Sequence, residues 1–264
     1  MPIQPLVAQR LYQQAADQIR ELIRAGEYAS GDRLPPEREL ARRLGISRPT
    51  VREAMIALEI AGVIAIRAGA GIYVSSVPVR ETQAQLPAPD AGPSPFDLLD
   101  ARRLLECELV ARAARAATRS ELAAIRETIE EMERDMASGG DGRDADRRFH
   151  ARIAEAARNS VLAGLVDGLW EGMSTPLFHH LSDHTGLPQN QQMTVRDHRA
   201  IYDCLRRRDA QGARAAMAAH LSHVEAILAG ADDLARSGGK RRRARRSARP
   251  CEPKAKRSGS SASS

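Results

Sequence analysis

Three histidines and an aspartate interrupt otherwise apolar helical stripes in this 264-residue chain, and they are the residues from which chemistry can be built. Asp146 and His150 are four residues apart and share a helix face with Ile153 and Ala157, so a carboxylate and an imidazole point inward together one turn apart. His198 shares a face with Ile201, Tyr202 and Leu205, and His220 lies among Met217, Leu221, Val224 and Ile227. Taken singly, each reads as a hydrogen-bonded core histidine. Three of them with an aspartate, on three helices of one bundle, can converge on a single divalent ion. The mixed nitrogen and oxygen set suits zinc first, with nickel or manganese as alternatives. Four protein ligands leave room on an ion that prefers five or six, which opens three readings. A small carboxylate can fill the open positions; the ion can activate water in a metal-dependent enzyme, although no candidate general base stands beside the ligands; or the metal can be purely structural.

A second group of residues speaks for DNA. Ala41, Gly45 and Val51 have the spacing of a helix-turn-helix. The small Ala41 lets two helices approach, Gly45 permits the positive φ of a tight turn, and Val51 plugs the interface from the second helix. Ser47 caps that helix by accepting from the amide of Thr50, and Pro49 sits in the first turn, where its missing N–H has no intrahelical partner. The helix therefore starts at about Arg48 and presents Arg48, Thr50 and Arg52 at the end a recognition helix pushes into the major groove. An arginine fork on guanine is worth roughly 1–3 kcal/mol of base discrimination. An arginine-rich amphipathic helix alone reads as solvated surface; small-residue spacing, turn glycine, cap and arginines together do not.

The positioning elements follow from periodicity. Leu11, Ala15, Ile19, Leu22 and Ile23 predict a covering helix over about 8–25. Val63, Ile64 and Ile66, then Gly69, Gly71, Tyr73 and Val74, predict two short strands around a glycine turn, a wing whose backbone can pass close to a duplex with Arg67 near phosphate. The winged domain spans 8–76. A linker over 77–96 holds Pro78, Pro87, Pro89, Pro93 and Pro95, enough to prevent a regular helix. Over 97–230 the pattern is helical, with helices at about 97–117, 121–137, 144–158, 161–181, 193–207 and 210–229, and with Ser120, Ser160 and Asp209 as N-caps. Short connections predict an antiparallel all-α bundle. The fold class is thus mainly α, with a small β-wing on its N-terminal domain.

Charge is unevenly distributed. The net +6 conceals a tail over 237–264 with ten Lys and Arg against Glu252 alone, a net of +9 that leaves the rest at −3. That Ser, Gly and Arg composition has little to bury and predicts a disordered basic tail, able to attract DNA without sequence preference or merely to solubilise. Cys107, Cys204 and Cys251 are widely spaced and belong to no motif, which fits a reducing, cytoplasmic setting and argues against a thiolate metal site. No apolar run approaches the ~20 residues of a membrane span.

The stretch LPPERELARRLGISRPTVREAMIALEIAGVIAIRAGAGIYV resembles the winged helix-turn-helix of GntR-type bacterial regulators, over residues 10–75. The resemblance implies that Arg38, Arg48 and Arg52 make the principal base contacts, with Thr50 on the backbone and the wing from Ala68 to Gly71 in the minor groove. Ala68 and Ala70 give that wing tip no bulky polar side chain for base reading. The segments DARRLLECELVARAARAAT, DRRFHARIAEAARNSVL and RDHRAIYDCLRRRDAQGARAAMAAHL resemble the FCD ligand-binding domain of the FadR subfamily, over about 97–228, with Asp100 where the family tends to have glutamate. This implies that Asp146, His150, His198 and His220 are the metal ligands and that Arg102 faces the cavity and helps hold an anionic effector. His179, His180, His184 and His223 have no place in the pattern and read as surface residues or as residues behind the ligands. The resemblance further implies a homodimeric repressor on a short near-palindromic operator, controlled by a small organic or sugar acid. LWEGMSTPLFHHL has a flavour of the hexuronate-type regulators.

Overall fold

Ten α-helices and one two-stranded sheet make up the computed structural model, which describes residues 10–67, 69–75 and 91–230. Of the linker expected over 77–96, residues 77–90 lie outside the described residues, as do the wing residue Ala68 and the basic tail, while Pro95 and Phe96 at its end already open a helix, where proline is tolerated in the first turn. The winged part comprises α1 (Leu11–Arg24), α2 (Glu37–Leu44), α3 (Arg48–Ile60), β1 (Ile64–Arg67) and β2 (Gly71–Val74). Val51, Met55, Ile56 and Leu58 of α3 are fully buried, each contributing about 1.5–3 kcal/mol by removal from water. α3 is therefore the spine of its domain, with its N-terminal turn left outside. Gly45 closes α2 at φ 67°, and the Ser47 hydroxyl accepts from the Thr50 amide at 3.2 Å, so turn and cap are as the spacing predicts.

The seam of α1 differs from expectation by one position. Leu11 is 53% exposed, whereas Tyr12, Ala15, Ala16 and Ile19 are buried. Tyr12 wins the inward place because its ring fills the core while its hydroxyl donates to the Gly92 carbonyl at 2.9 Å. In the wing, Ile64 pairs with Val74 and Arg67 with Gly71. Gly71 has φ 125°, and a Cβ there would stand 2.6 Å from Arg33 Nε, so Arg33 crosses the wing where only glycine leaves room.

The remaining helices are α4 (Pro95–Ala116), α5 (Arg119–Ala137), α6 (Arg143–Ala156), α7 (Ser160–Gly172), α8 (Pro176–Thr185), α9 (Gln191–Arg206) and α10 (Ala210–Leu228). α4 packs on α6, α7, α9 and α10, which makes it the central helix of the bundle. Two expected caps move by one or two residues. Thr118, not Ser120, caps α5 in a reciprocal box with Glu121, and Asn159, not Ser160, caps α7. Asp209 caps α10 as expected. The single helix expected over 161–181 is two, broken at Met173–Thr175. Pro176 forces Thr175 into extended backbone (ψ 156°) and then opens α8 at its first position. The break matters for function: the Leu177 amide donates to the Ala91 carbonyl, so the chain leading into α4 is held in that notch.

Candidate metal centre and nucleic-acid interface

Helices α6, α9 and α10 bring Asp146, His150, His198 and His220 together, with one ligand atom of each within 4.8 Å of all the others. The three imidazoles are at most 1% exposed. Phe149 stacks on His198 with ring centroids 3.9 Å apart, which fixes that ring's plane. Asp146 Oδ1 stands 3.2 Å from His198 Nε2 and 3.5 Å from His150 Nε2, yet none of these three atoms has a partner with hydrogen-bond alignment. Buried polar atoms left in that state cost about 1–3 kcal/mol each unless something else satisfies them. A divalent cation fits the set: imidazole nitrogens and one carboxylate oxygen converge on a point with their lone pairs unspent.

The electrostatics prepare the same residues for ligation. Burial would raise Asp146, but the imidazoles of His150 and His198 outweigh it and hold its carboxyl well below the usual range. Burial pushes His198 down to about 3 and also lowers His220. An ionised aspartate and neutral histidines are the forms that bind metal. His150 moves the other way. Burial opposes its charge, but Glu106, with Oε2 2.5 Å from Nδ1, outweighs that and raises it.

Glu106 is the residue that the sequence reading missed. It is 2% exposed, and although burial alone would raise it, Arg102 and His150 hold it at about 2. A carboxylate on Nδ1 leaves Nε2 of His150 to face the ligand point. The available signal was the Arg102–Glu106 spacing of four on the buried face of the first bundle helix. Glu106 also redefines Arg102. That guanidinium is 1% exposed, donates from Nε to Glu106 Oε1 at 2.7 Å and lies over the Trp170 ring at 4.2 Å. The fork expected for an acid is thus engaged by the protein's own carboxylate, and Nη1, 3.3 Å from Met173 Sδ, is the remaining edge. Asp146, His220 and Arg102 all line a cavity of about 200 Å³, whose other polar walls include Arg143, Arg147, Gln191 and Thr194. A water needs about 10–15 Å³ on this scale, so a small organic molecule has room.

At the other end of the chain, Arg38 and Arg48 are exposed, as are Arg67 and Gly69, while Thr50 and Gly71 are half-buried. Thr50 Oγ1 lies 2.7 Å from Ser47 Oγ, and the Arg67 guanidinium sits over the Tyr73 ring. Arg52 is only 18% exposed: Glu37 takes its Nε and Nη2 in a bidentate pair at 2.9 and 2.8 Å, and Nη1 donates to the Leu228 carbonyl at 3.4 Å. Glu37 too escaped the sequence reading. Two further handles hold α3 to the bundle. Ser94 donates to Glu53 at 2.5 Å, and His184 Nε2 stands 2.5 Å from Glu59.

Comparison with known proteins agrees with both halves. The family model described as bacterial regulatory proteins, gntR family, matches residues 11–74, and the one described as FCD domain matches 97–223. The Uxu operon transcriptional regulator of Escherichia coli K12 is 39% identical over 84% of this chain and 88% of its own length. The Exu regulon transcriptional regulator of the same organism is 35% identical over 83% and 84%. A solved Streptococcus agalactiae GntR structure aligns over 81% of this chain and 98% of its own, at 26% identity and a TM-score of 0.42. Among the described residues no helix is long and apolar enough to cross a membrane. With a winged helix-turn-helix ahead of an FCD domain, and with relatives that are transcriptional regulators rather than enzymes, the chain belongs to the GntR family of DNA-binding transcription regulators.

Proposed function

We propose that this regulator is a homodimeric repressor whose operator affinity is set by a small organic or sugar acid bound at a metal in the helical domain. The observation that carries the reading is the set of unsatisfied ligand atoms of Asp146, His150 and His198, beside a cavity walled by arginines. A divalent cation held by Asp146, His150, His198 and His220, zinc before nickel or manganese, would supply a Lewis-acidic anchor for a carboxylate. Arg102 Nη1, Arg143 and Arg147 provide positive charge around that anchor, while Gln191 and Thr194 offer hydrogen bonds to hydroxyls. On the DNA side, Arg38 and Arg48 read base edges from exposed positions, Arg52 joins them once its fork is released from Glu37 and the Leu228 carbonyl, Thr50 holds the backbone, and Arg67, Gly69 and Gly71 bring the wing to the minor groove. Dimerisation is supported by Leu104, Val161 and Leu165, exposed at 69, 72 and 51% on α4 and α7, two helices packed on each other. Two-fold symmetry in the protein calls for a near-palindromic operator.

The test is a thermal-shift screen of small carboxylic and sugar acids against metal-loaded protein, followed by operator binding with each hit. Wild type should respond, His198→Ala should lose metal and response while still binding operator, and Arg102→Ala should keep metal but weaken the acid. Protein purified without chelators that holds no metal, or an undiminished response in the His198 variant, overturns the proposal. A purely structural metal is the second reading, favoured by the complete burial of the three histidines; melting that depends on metal with no acid response would select it.

A further inference from the structure

We infer that Glu59, His180 and His184 form a second, solvent-accessible site for a first-row divalent cation, one that ties the recognition helix to the bundle. The buried centre does not use these residues. His180 and His184 are four apart on α8, so their imidazoles share a face one turn apart, the spacing with which a helix chelates a metal. His179 is turned away from them and pairs with Arg143. Glu59, the penultimate residue of α3, faces the pair, and one ligand atom from each of the three residues lies within 4.8 Å of the others. His184 Nε2 is 2.5 Å from Glu59 Oε2.

A plain ion pair between His184 and Glu59 accounts for two members and leaves His180 unexplained, since His180 makes no hydrogen bond or ion pair within the described residues. The carboxylate is already oriented. Its Oε1 accepts from the Ile66 amide of β1 at 2.7 Å, leaving Oε2 for the imidazoles. His184 also sits in the last turn of α8, where carbonyl dipoles favour positive charge. Two imidazoles and one carboxylate with open positions suit zinc, nickel or copper and do not suit calcium or magnesium. Unlike the buried centre, this one is at the surface, so it exchanges metal with solvent. An ion there joins α3, the wing through Ile66, and α8.

The experiment is a calorimetric zinc titration of the full-length chain, with zinc content counted per chain. Wild type should hold one more zinc than His180→Ala/His184→Ala, however the buried centre is loaded, so the result is independent of the function proposed above. Glu59→Gln, whose amide oxygen still accepts from Ile66, should weaken that extra zinc by at least about tenfold. All three side chains are partly or fully exposed, and His180→Gln/His184→Gln provides a second variant of similar polarity. Equal zinc content in wild type and both histidine double variants overturns the site. An extra zinc that Glu59→Gln leaves unweakened overturns the tie to the recognition helix.

Discussion

Glu53 is a carboxylate in the core of the recognition helix, and its titration should be visible in the stability of the whole protein. It is 2% exposed, accepts the Ser94 hydroxyl at 2.5 Å and the Phe96 amide, and burial pushes its pKa from an ordinary 4.5 up to about 7. A folded value above the unfolded one means that the stabilisation is complete below pH 4.5 and is lost as pH rises toward 7, where the loss levels off. At about 1.36 kcal/mol per pH unit, that interval corresponds to about 3 kcal/mol. Glu53→Gln keeps the carbonyl-type acceptor for Ser94 and removes the proton equilibrium. The wild type and the variant should therefore be of similar stability near pH 4.5, and by pH 7 the variant should be the more stable by about 3 kcal/mol. Urea unfolding of both proteins at half-unit steps from pH 4.5 to 8 measures the difference directly, with other titrations common to both. A wild type minus variant difference that stays flat across that range would refute the reasoning.

On the DNA side, Arg48→Ala and Arg52→Ala should each cost about 1–3 kcal/mol on the operator and much less on random duplex, read by fluorescence anisotropy; equal losses on both would remove them from base reading. Glu106→Gln should lower metal affinity by about 10–100-fold, in competition with a chromophoric chelator, because His150 loses the carboxylate that sets its proton and orientation. An unchanged affinity would show that Glu106 serves only Arg102. Deleting 237–264 should weaken operator and random DNA by a similar factor and flatten the salt dependence, with operator preference intact. Loss of preference on truncation would assign the tail a sequence-reading role.

What could be read in advance depended on how local the cause was. The turn at Gly45, the cap at Ser47 and the wing glycines are fixed by a few adjacent residues, and they stand as expected. The histidine and aspartate positions were legible because a titratable group on an apolar stripe must turn inward with its neighbours. Partners across the fold were not. Glu106 and Glu37 look like ordinary helical surface acids until α6 places His150, and α3 places Arg52, against them. Tyr12 displaced Leu11 from the seam because its hydroxyl has a destination at Gly92, eighty residues away. The break before Pro176 is the exception, since the proline stood in plain view and the apolar periodicity on either side of it concealed the stop.

Under the proposed function, an acid bound beside Arg102 must be felt by α3, and the contacts between them are continuous. Arg102 lies over Trp170 and touches Met173, at the end of α7. The chain then turns at Thr175, against which Gly92 packs so closely that a Cβ there would stand 2.5 Å from the Thr175 side chain. Leu177 holds Ala91, and Ser94, two residues past Gly92, donates to Glu53 in the recognition helix. The segment 91–94 is thus packed against the α7–α8 break on one side and bonded to the recognition helix on the other. An effector changes operator affinity only by binding two arrangements of this joint unequally. A tenfold change in operator affinity needs about 1.4 kcal/mol of coupling, while one ordinary buried hydrogen bond is worth about 0.5–1.5 kcal/mol. The bond from Ser94 to Glu53 is thus of the size that an effector acting through this joint would have to make or break for a several-fold change in operator affinity.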